Sequence, residues 1–422
     1  MAPFMESIAE TPPNGQLGSA DAPPTAMEPV AICGMALRLP GGIATPEEFW
    51  QFLVNKKDAR CQISKSRFNA SSYYSDTGKP ARKRATTLHD SVDLGALDTT
   101  FFRMPKNEVG RADSQQRLLL ELTRECLESA GEVNYRGKTI GTFVGCFGED
   151  WLETLTKDSE VVGQYKITGY GDFMLSNRLS YEYDLKGPSM TTRTGCSSAL
   201  IGLHEACMSI QHGQCNAAIV AGSNLILAPG LYVSMSEQGV LSPNGSCRTF
   251  DAAADGYARG EAVNVVYFKR LSDAIRDANP IRAVIRGTSS NAGGKTPSLT
   301  IPSFESHEAM IRRAYSMAAI SASDIALTGF VECHGTGTPA GDPIETRAIA
   351  KVFGDSGVHI GSCKPNIGHS EGASGITSLI KSIMALEHRT IPPNIKFDHP
   401  NPKIPFEEKN LTVPVEPINT LA

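Results

Sequence analysis

Cys196 stands in Thr194-Gly195-Cys196-Ser197-Ser198-Ala199-Leu200, between a strand-like run and a helix-like run. The preceding Pro188-Ser189-Met190-Thr191-Thr192-Arg193-Thr194 is rich in β-branched residues, and Ala199 to Gln211 has the apolar spacing of a buried helix. A thiol at a helix start meets unpaired N–H groups and the positive end of the helix dipole. That setting favours the thiolate, the reactive form, and makes Cys196 a candidate nucleophile. Free cysteines are more often inert core residues. The other nine of the ten, including Cys33, Cys126, Cys207 and Cys333, lie in or beside apolar runs and read as core. None forms a Cys-x-x-Cys pair, so no zinc ribbon or thioredoxin-type motif is available, and no metal site is expected.

Two histidines are candidate partners. His334 lies in Gly329-Phe330-Val331-Glu332-Cys333-His334-Gly335-Thr336-Gly337-Thr338-Pro339, where an apolar strand-like run ends in a polar loop. His369 lies in Lys364-Pro365-Asn366-Ile367-Gly368-His369-Ser370-Glu371-Gly372, after the short run Val358 to Cys363 and before the helix-like Ile376 to Glu387. Both follow strand ends, where α/β folds gather their functional loops. A thiolate can hold an acyl group as a thioester, splitting a condensation into two transfers. A carbon nucleophile made by decarboxylation then needs donors for its enolate oxygen, and a neutral imidazole offers one N–H without a charge.

These segments resemble the β-ketoacyl synthase family, in particular the ketosynthase domains of fungal type I iterative, highly reducing polyketide synthases. Further matches are Asp113 to Glu121, Gly239 to Ala262 and Gly341-Asp342-Pro343-Ile344-Glu345, so the resemblance runs from about Pro29 to Pro414. It implies an α/β, thiolase-like fold: two related βαβαβ-type halves in a five-layered α-β-α-β-α arrangement. It implies an acyltransferase that extends a polyketide by decarboxylative Claisen condensation, in fungal secondary metabolite biosynthesis. Cys196 then carries the acyl chain, with its backbone N–H in the oxyanion hole, and His334 and His369 act in decarboxylation and enolate stabilisation. By the same resemblance Lys364 orders the histidine pair, Glu371 positions the network, and Thr336 and Thr338 bind the phosphopantetheine arm of a carrier protein. The domain binds no cofactor of its own. An acyl carrier protein and an acyltransferase, in cis or in trans, are the expected partners, and a homodimer the expected assembly.

The chain departs from the family pattern in several places. Arg193 and Gly195 replace the more usual Asp and Ala, which points to an altered pocket or turn beside an intact nucleophile. Ser114 replaces a proline, which bears on the helix start or the dimer surface, and Ala292-Gly293-Gly294-Lys295-Thr296 replaces a Cys-Asp-Gly-Lys-Thr form. The runs from Trp151 to Tyr170 and Gly230 to Gln238 are expected to be pocket-shaping loops. Two other readings stay open. One is a non-decarboxylating, thiolase-like acyltransferase, although no cysteine stands at either histidine. The other is a catalytically idle remnant or dimerisation module.

The rest of the sequence bounds this reading. The 422 residues, 41% hydrophobic and 20% charged, suit a globular protein, and a net charge of -5 gives no reason to expect nucleic acid or a membrane surface. No apolar run approaches the ~20 residues that span a bilayer. Ten unpatterned cysteines suit a reducing compartment, with the cytoplasm as the expected location. Residues 1–28 read as a disordered leader, 29–414 as the ketosynthase domain with halves near 29–275 and 276–414, and 415–422 as the start of a linker. The chain is expected to be part of a larger synthase.

Overall fold

The computed structural model describes residues 28–73, 84–85, 93–157, 163–354 and 356–419. The expected leader thus lies almost wholly outside the described residues. A six-stranded sheet runs in the order Ser189–Thr192, Ile140–Cys146, Ala217–Asn224, Ala262–Arg270, Val30–Arg38, Ala283–Ile285. The first three strands pair in parallel and the rest antiparallel. Its central strands are buried on both faces, so their sequences read as continuous apolar runs and not as alternating ones.

Alternate residues nevertheless serve two different cores. Phe143, Val220 and Val266 point to one, with Ala199, Leu203 and Ile210 of helix Ser198–Gln211 and Ile376, Ile380 and Ile383 of helix Ser374–Glu387. Val144, Ile219 and Val265 point to the other, with Leu119, Leu122 and Leu127 of helix Ser114–Ser129 and Leu175 and Leu179 of helix Met174–Glu182. A second, parallel sheet orders Leu411–Thr412, Val358–Gly361, Phe330–Glu332. Helices Phe304–Met317 and Gly341–Phe353 pack together on its outer side, contributing Ile311, Tyr315, Ile349 and Phe353 to a third core. The layers therefore run helix, sheet, helix, sheet, helix, as in a thiolase-like fold. The strand at 283–285 joins the first sheet by pairing with Val30, Ala31 and Ile32, so the C-terminal segment interlocks with the N-terminal sheet.

The two expected pocket loops contain helices, Asp150–Thr156, Lys166–Tyr170 and Gly230–Glu237. Of the cysteines expected in the core, Cys61 is only half-buried, because its two-residue strand lies outside the main sheets. No helix among the described residues is long and apolar enough to cross a membrane.

The middle helices must approach the first sheet very closely to present their starts at the strand ends. A Cβ on Gly145, in strand Ile140–Cys146, would sit 2.2 Å from the backbone nitrogen of Ala199. Only a residue without a side chain fits there. Gly145→Ala is expected to push the nucleophile helix off the sheet and cost at least ~2 kcal/mol, within the range for overpacking. Urea unfolding checks this, and an unchanged midpoint would contradict the packing described.

Candidate active site

Three strand ends deliver the candidate residues to one place. Strand Ser189–Thr192 leads into the tight turn Gly195–Ser197 holding Cys196, two residues before its helix begins. Phe330–Glu332 leads to His334, and Val358–Gly361 leads to Lys364 and His369. Cys196 Sγ and a ring nitrogen from each histidine lie within 4.8 Å of one another. The imidazoles are 5.2 Å apart between centroids and nearly perpendicular, at 87°. His369 is fully buried, whereas His334 is exposed at the mouth.

The nucleophile turn is braced by its own hydroxyls. Thr194 N–H donates to Ser198 Oγ at 2.9 Å, Ser198 O–H donates to Gly195 O at 2.6 Å, and Ser374 O–H donates to Cys196 O at 3.2 Å. Gly195 takes a left-handed φ of 69°, with no atom within 4 Å of where a Cβ would stand. Glycine at this position therefore relieves backbone strain, not crowding.

Helix-start geometry alone does not make Cys196 a thiolate. Although half-buried, the thiol is pushed up to about 12, first by enclosure in the protein and then by the Glu371 carboxyl beside it. Lys364 opposes this, but a dipole and one ammonium do not outweigh desolvation. The sequence expectation of a thiolate at rest is corrected accordingly.

The histidines are neutral for a related reason. His369 is held well below the ordinary imidazole value by burial, then by Lys364, His334 and Arg259. The packed side of His334 and the Lys364 ammonium lower it too, although its other face is open. Lys364 is itself 2% exposed, so its charge acts on both rings, on Cys196 and on Glu371 with little water between. The tautomer of His369 follows from one bond: Glu371 N–H donates to His369 Nδ1 at 3.1 Å. A nitrogen that accepts carries no proton, so Nε2 bears it. That Nε2 is buried and has no hydrogen-bond partner among the described residues. It is a donor waiting for an acceptor.

Glu371 is fully buried, with Oε2 at 3.9 Å from Cys196 Sγ and Oε1 at 3.4 Å from Arg259 Nε. Burial pushes its carboxyl up to about 7, and the Arg259 guanidinium restrains the rise. Thr336 and Thr338 stand in the loop after His334, with their hydroxyls 3.1 Å apart and Gly341 N–H donating to Thr338 Oγ1 at 3.2 Å. The structure thus gathers Cys196, His334, His369, Lys364 and Glu371 around one point, with both threonines in the adjoining loop.

Sequence reading gave no role to four residues that frame the site. Arg259 is wholly buried, and its neighbours bracket His369: His369 N–H donates to Ala258 O and Gly260 N–H to His369 O, each at 2.7 Å. The Tyr257 ring lies 5.0 Å from the His369 ring. Glu345 accepts from His334 N at 2.6 Å and Gly335 N at 2.9 Å, while Asp342 accepts from Gly337 N at 3.0 Å and Phe250 N at 2.8 Å. The available signal was a lone arginine in the small-residue run Gly256-Tyr257-Ala258-Arg259-Gly260.

The departures from the family pattern have visible surroundings. Arg193 Nη1 lies 3.0 Å from both Glu149 Oε1 and Asp172 Oδ2, and lines a cavity of about 240 Å³ and a neighbouring one of about 430 Å³. Ser114 accepts from Arg117 Nη2 at 2.9 Å inside the helix start, which gives the serine a structural use. Residues 292–295 are exposed and Thr296 is half-buried.

A family described as Beta-ketoacyl synthase, N-terminal domain matches residues 27–274, and its C-terminal counterpart matches 282–398. The chain belongs to the β-ketoacyl synthase family. This ketosynthase is 60% identical over 396 residues to Highly reducing polyketide synthase sphB of Aspergillus fumigatus, covering 93% of this chain and 16% of that protein. It is 60% identical over 390 residues to Highly reducing polyketide synthase VdtX of Byssochlamys spectabilis, covering 92% of this chain and 18% of that one. The chain therefore spans about a sixth of the length of these relatives. The ketosynthase from module 6 of the bacillaene synthase of Bacillus subtilis superposes with a TM-score of 0.86 at 32% identity, covering 93% of this chain and 67% of that one. Family and fold together place the ketosynthase among acyl-transferring enzymes.

Neutral, buried His369 has a thermodynamic signature. The unfolded chain protonates it below about 6.5, whereas the folded chain resists protonation until far lower pH. Its contribution is therefore complete above 6.5 and is lost as pH falls. Between pH 7 and 5 the stability of wild type relative to His369→Asn is expected to drop by up to ~1.4 kcal/mol per pH unit. Urea titrations of both proteins across that range measure it, and parallel curves would contradict a neutral His369.

Proposed function

We propose that this ketosynthase extends a polyketide chain by decarboxylative Claisen condensation, as part of a larger fungal highly reducing synthase. The observation that carries the reading is His369 Nε2, a buried N–H with no partner, beside Cys196 and facing a second neutral imidazole. Donors fixed before charge develops stabilise an enolate with little reorganisation.

In this reading Cys196 Sγ takes an acyl group from one carrier thioester. A malonyl thioester then enters, its phosphopantetheine arm held by the hydroxyls of Thr336 and Thr338. Loss of carbon dioxide leaves an enolate whose oxygen accepts from His334 and His369. The enolate carbon attacks the Cys196 thioester, the Cys196 backbone N–H supports the tetrahedral oxyanion, and the β-keto product leaves on the carrier. Burial keeps both imidazoles neutral, and the Lys364 ammonium reinforces this by opposing a second positive charge. The domain needs no cofactor of its own; a carrier protein and an acyltransferase supply its substrates, in the cytoplasm.

We also propose a homodimer. Strand Ser189–Thr192 forms one edge of the six-stranded sheet, and Phe173 and Tyr181 expose apolar surface at and along helix Met174–Glu182 beside it. An exposed sheet edge beside an apolar patch favours pairing with a second copy.

Separate half-reactions test the assignment. Cys196→Ala is expected to abolish loading from an acyl thioester, read by intact mass. His369→Ala is expected to slow carbon dioxide release from a malonyl carrier by at least ~100-fold, the scale of losing one fixed donor. Loading without carbon dioxide release by wild type would favour the thiolase-like alternative. No loading at all would favour the idle module.

A further inference from the structure

The Cys196 proton has to go somewhere when the acyl group is loaded, and the geometry limits where. Of the ring nitrogens near the sulfur, His369 Nε2 is already protonated, because Nδ1 accepts from Glu371 N–H. Two groups remain at hand, a His334 ring nitrogen within 4.8 Å and the Glu371 carboxyl, and it is the carboxyl that takes the thiol's hydrogen bond. Its Oε2 lies 3.9 Å from Sγ with the thiol donating, a distance suited to the larger sulfur atom. Its Oε1 lies 3.4 Å from Arg259 Nε, with both side chains fully buried. The two oxygens are thus divided between a cation behind and the nucleophile in front.

We infer that the Glu371 carboxylate, held by Arg259, accepts the Cys196 thiol proton during acyl loading and returns it to the departing carrier thiol. The S–H bond breaks as the Glu371 O–H bond forms, and Sγ bonds to the acyl carbon. The acyl carbon–sulfur bond to the carrier then breaks, and the Glu371 proton passes to that sulfur. Atoms and charge balance with no further reactant. Arg259 touches neither substrate nor sulfur and is a positioning residue. Its segment also fixes His369 through Ala258 O and Gly260 N, so one short stretch sets both the donor and the proton acceptor.

The groups facing Glu371 are Arg259 and Tyr257 from the bracketing segment, Lys364 and His369 from its own loop, and Cys196 from the nucleophile turn. Two cations against one carboxylate keep it ionisable in an enclosed place. A carboxyl pushed up to about 7 is poised for proton transfer near neutral pH.

The inference rests on acyl transfer to Cys196, and the test separates the two. Loading of an acyl N-acetylcysteamine thioester is followed by intact mass from pH 6 to 8, beside carbon dioxide release from a malonyl carrier. Glu371→Gln is expected to slow loading about 100-fold, the usual yield of general-base catalysis, and to flatten its rise with pH. Carbon dioxide release should fall at least tenfold less. Arg259→Met should move the loading profile to higher pH, since the carboxyl loses its cation, and Arg259→Lys should move it back. Equal loss of both half-reactions with an unshifted profile overturns the inference, as does a larger loading defect in His334→Asn than in Glu371→Gln. Wild type that loads no acyl group overturns the acyl-transfer reading itself.

Discussion

The site depends on desolvation: enclosure holds two imidazoles neutral and a thiol protonated, and the buried Lys364 ammonium reinforces the first and opposes the second. Lys364 is almost without solvent, so its charge reaches Cys196, His334, His369 and Glu371 with little water between. Such a charge is costly unless the surrounding groups answer it. The answer is asymmetric: the histidines stay neutral, and the Glu371 carboxyl is shared with a second cation, Arg259. A neutral imidazole with a committed Nδ1 becomes a pure donor at Nε2. The same field that makes proton uptake by His369 difficult makes negative charge between the rings welcome.

The fold exists in large part to hold that field together. His334 and His369 come from the second sheet and Cys196 from the first, so no single sheet could make the site. Helices Ser198–Gln211 and Ser374–Glu387 lie between the sheets and bring the two sets of loops into contact. Their close approach depends on small residues, and Gly145 shows how little room is left. Rigid strands and short turns then hold the donors in place before charge develops, which electrostatic stabilisation requires.

Much of this was legible in the sequence, for definite reasons. Strand–loop–helix junctions mark functional positions in α/β folds, so Cys196, His334 and His369 could be singled out by place as well as type. The long apolar runs Ala217–Asn224 and Ala262–Arg270 form strands buried on both faces, as continuous apolar stretches do. The family resemblance supplied the layer order, which no local pattern carries. Other features were hidden because they depend on contacts distant in sequence. Arg259 and Glu371 are 112 positions apart, and neither reveals the other until folding buries both (371 − 259). The Cys196 thiol was misjudged because the helix start is a local feature, whereas the desolvation that dominates it is tertiary. Arg193 stood out in sequence for its type, yet only the structure shows it clamped between Glu149 and Asp172.

In the proposed reaction an acyl group on Cys196 meets a decarboxylating malonyl thioester between two neutral imidazoles. A single turnover tests this most directly. Enzyme loaded with one isotopically labelled acyl group is mixed with one equivalent of malonyl carrier, and carbon dioxide, free Cys196 and carrier-bound product are counted together. One carbon dioxide is expected per Cys196 freed and per β-ketoacyl carrier formed. Transfer of the intact label to the carrier without carbon dioxide, or carbon dioxide released while the label stays on Cys196, would contradict it.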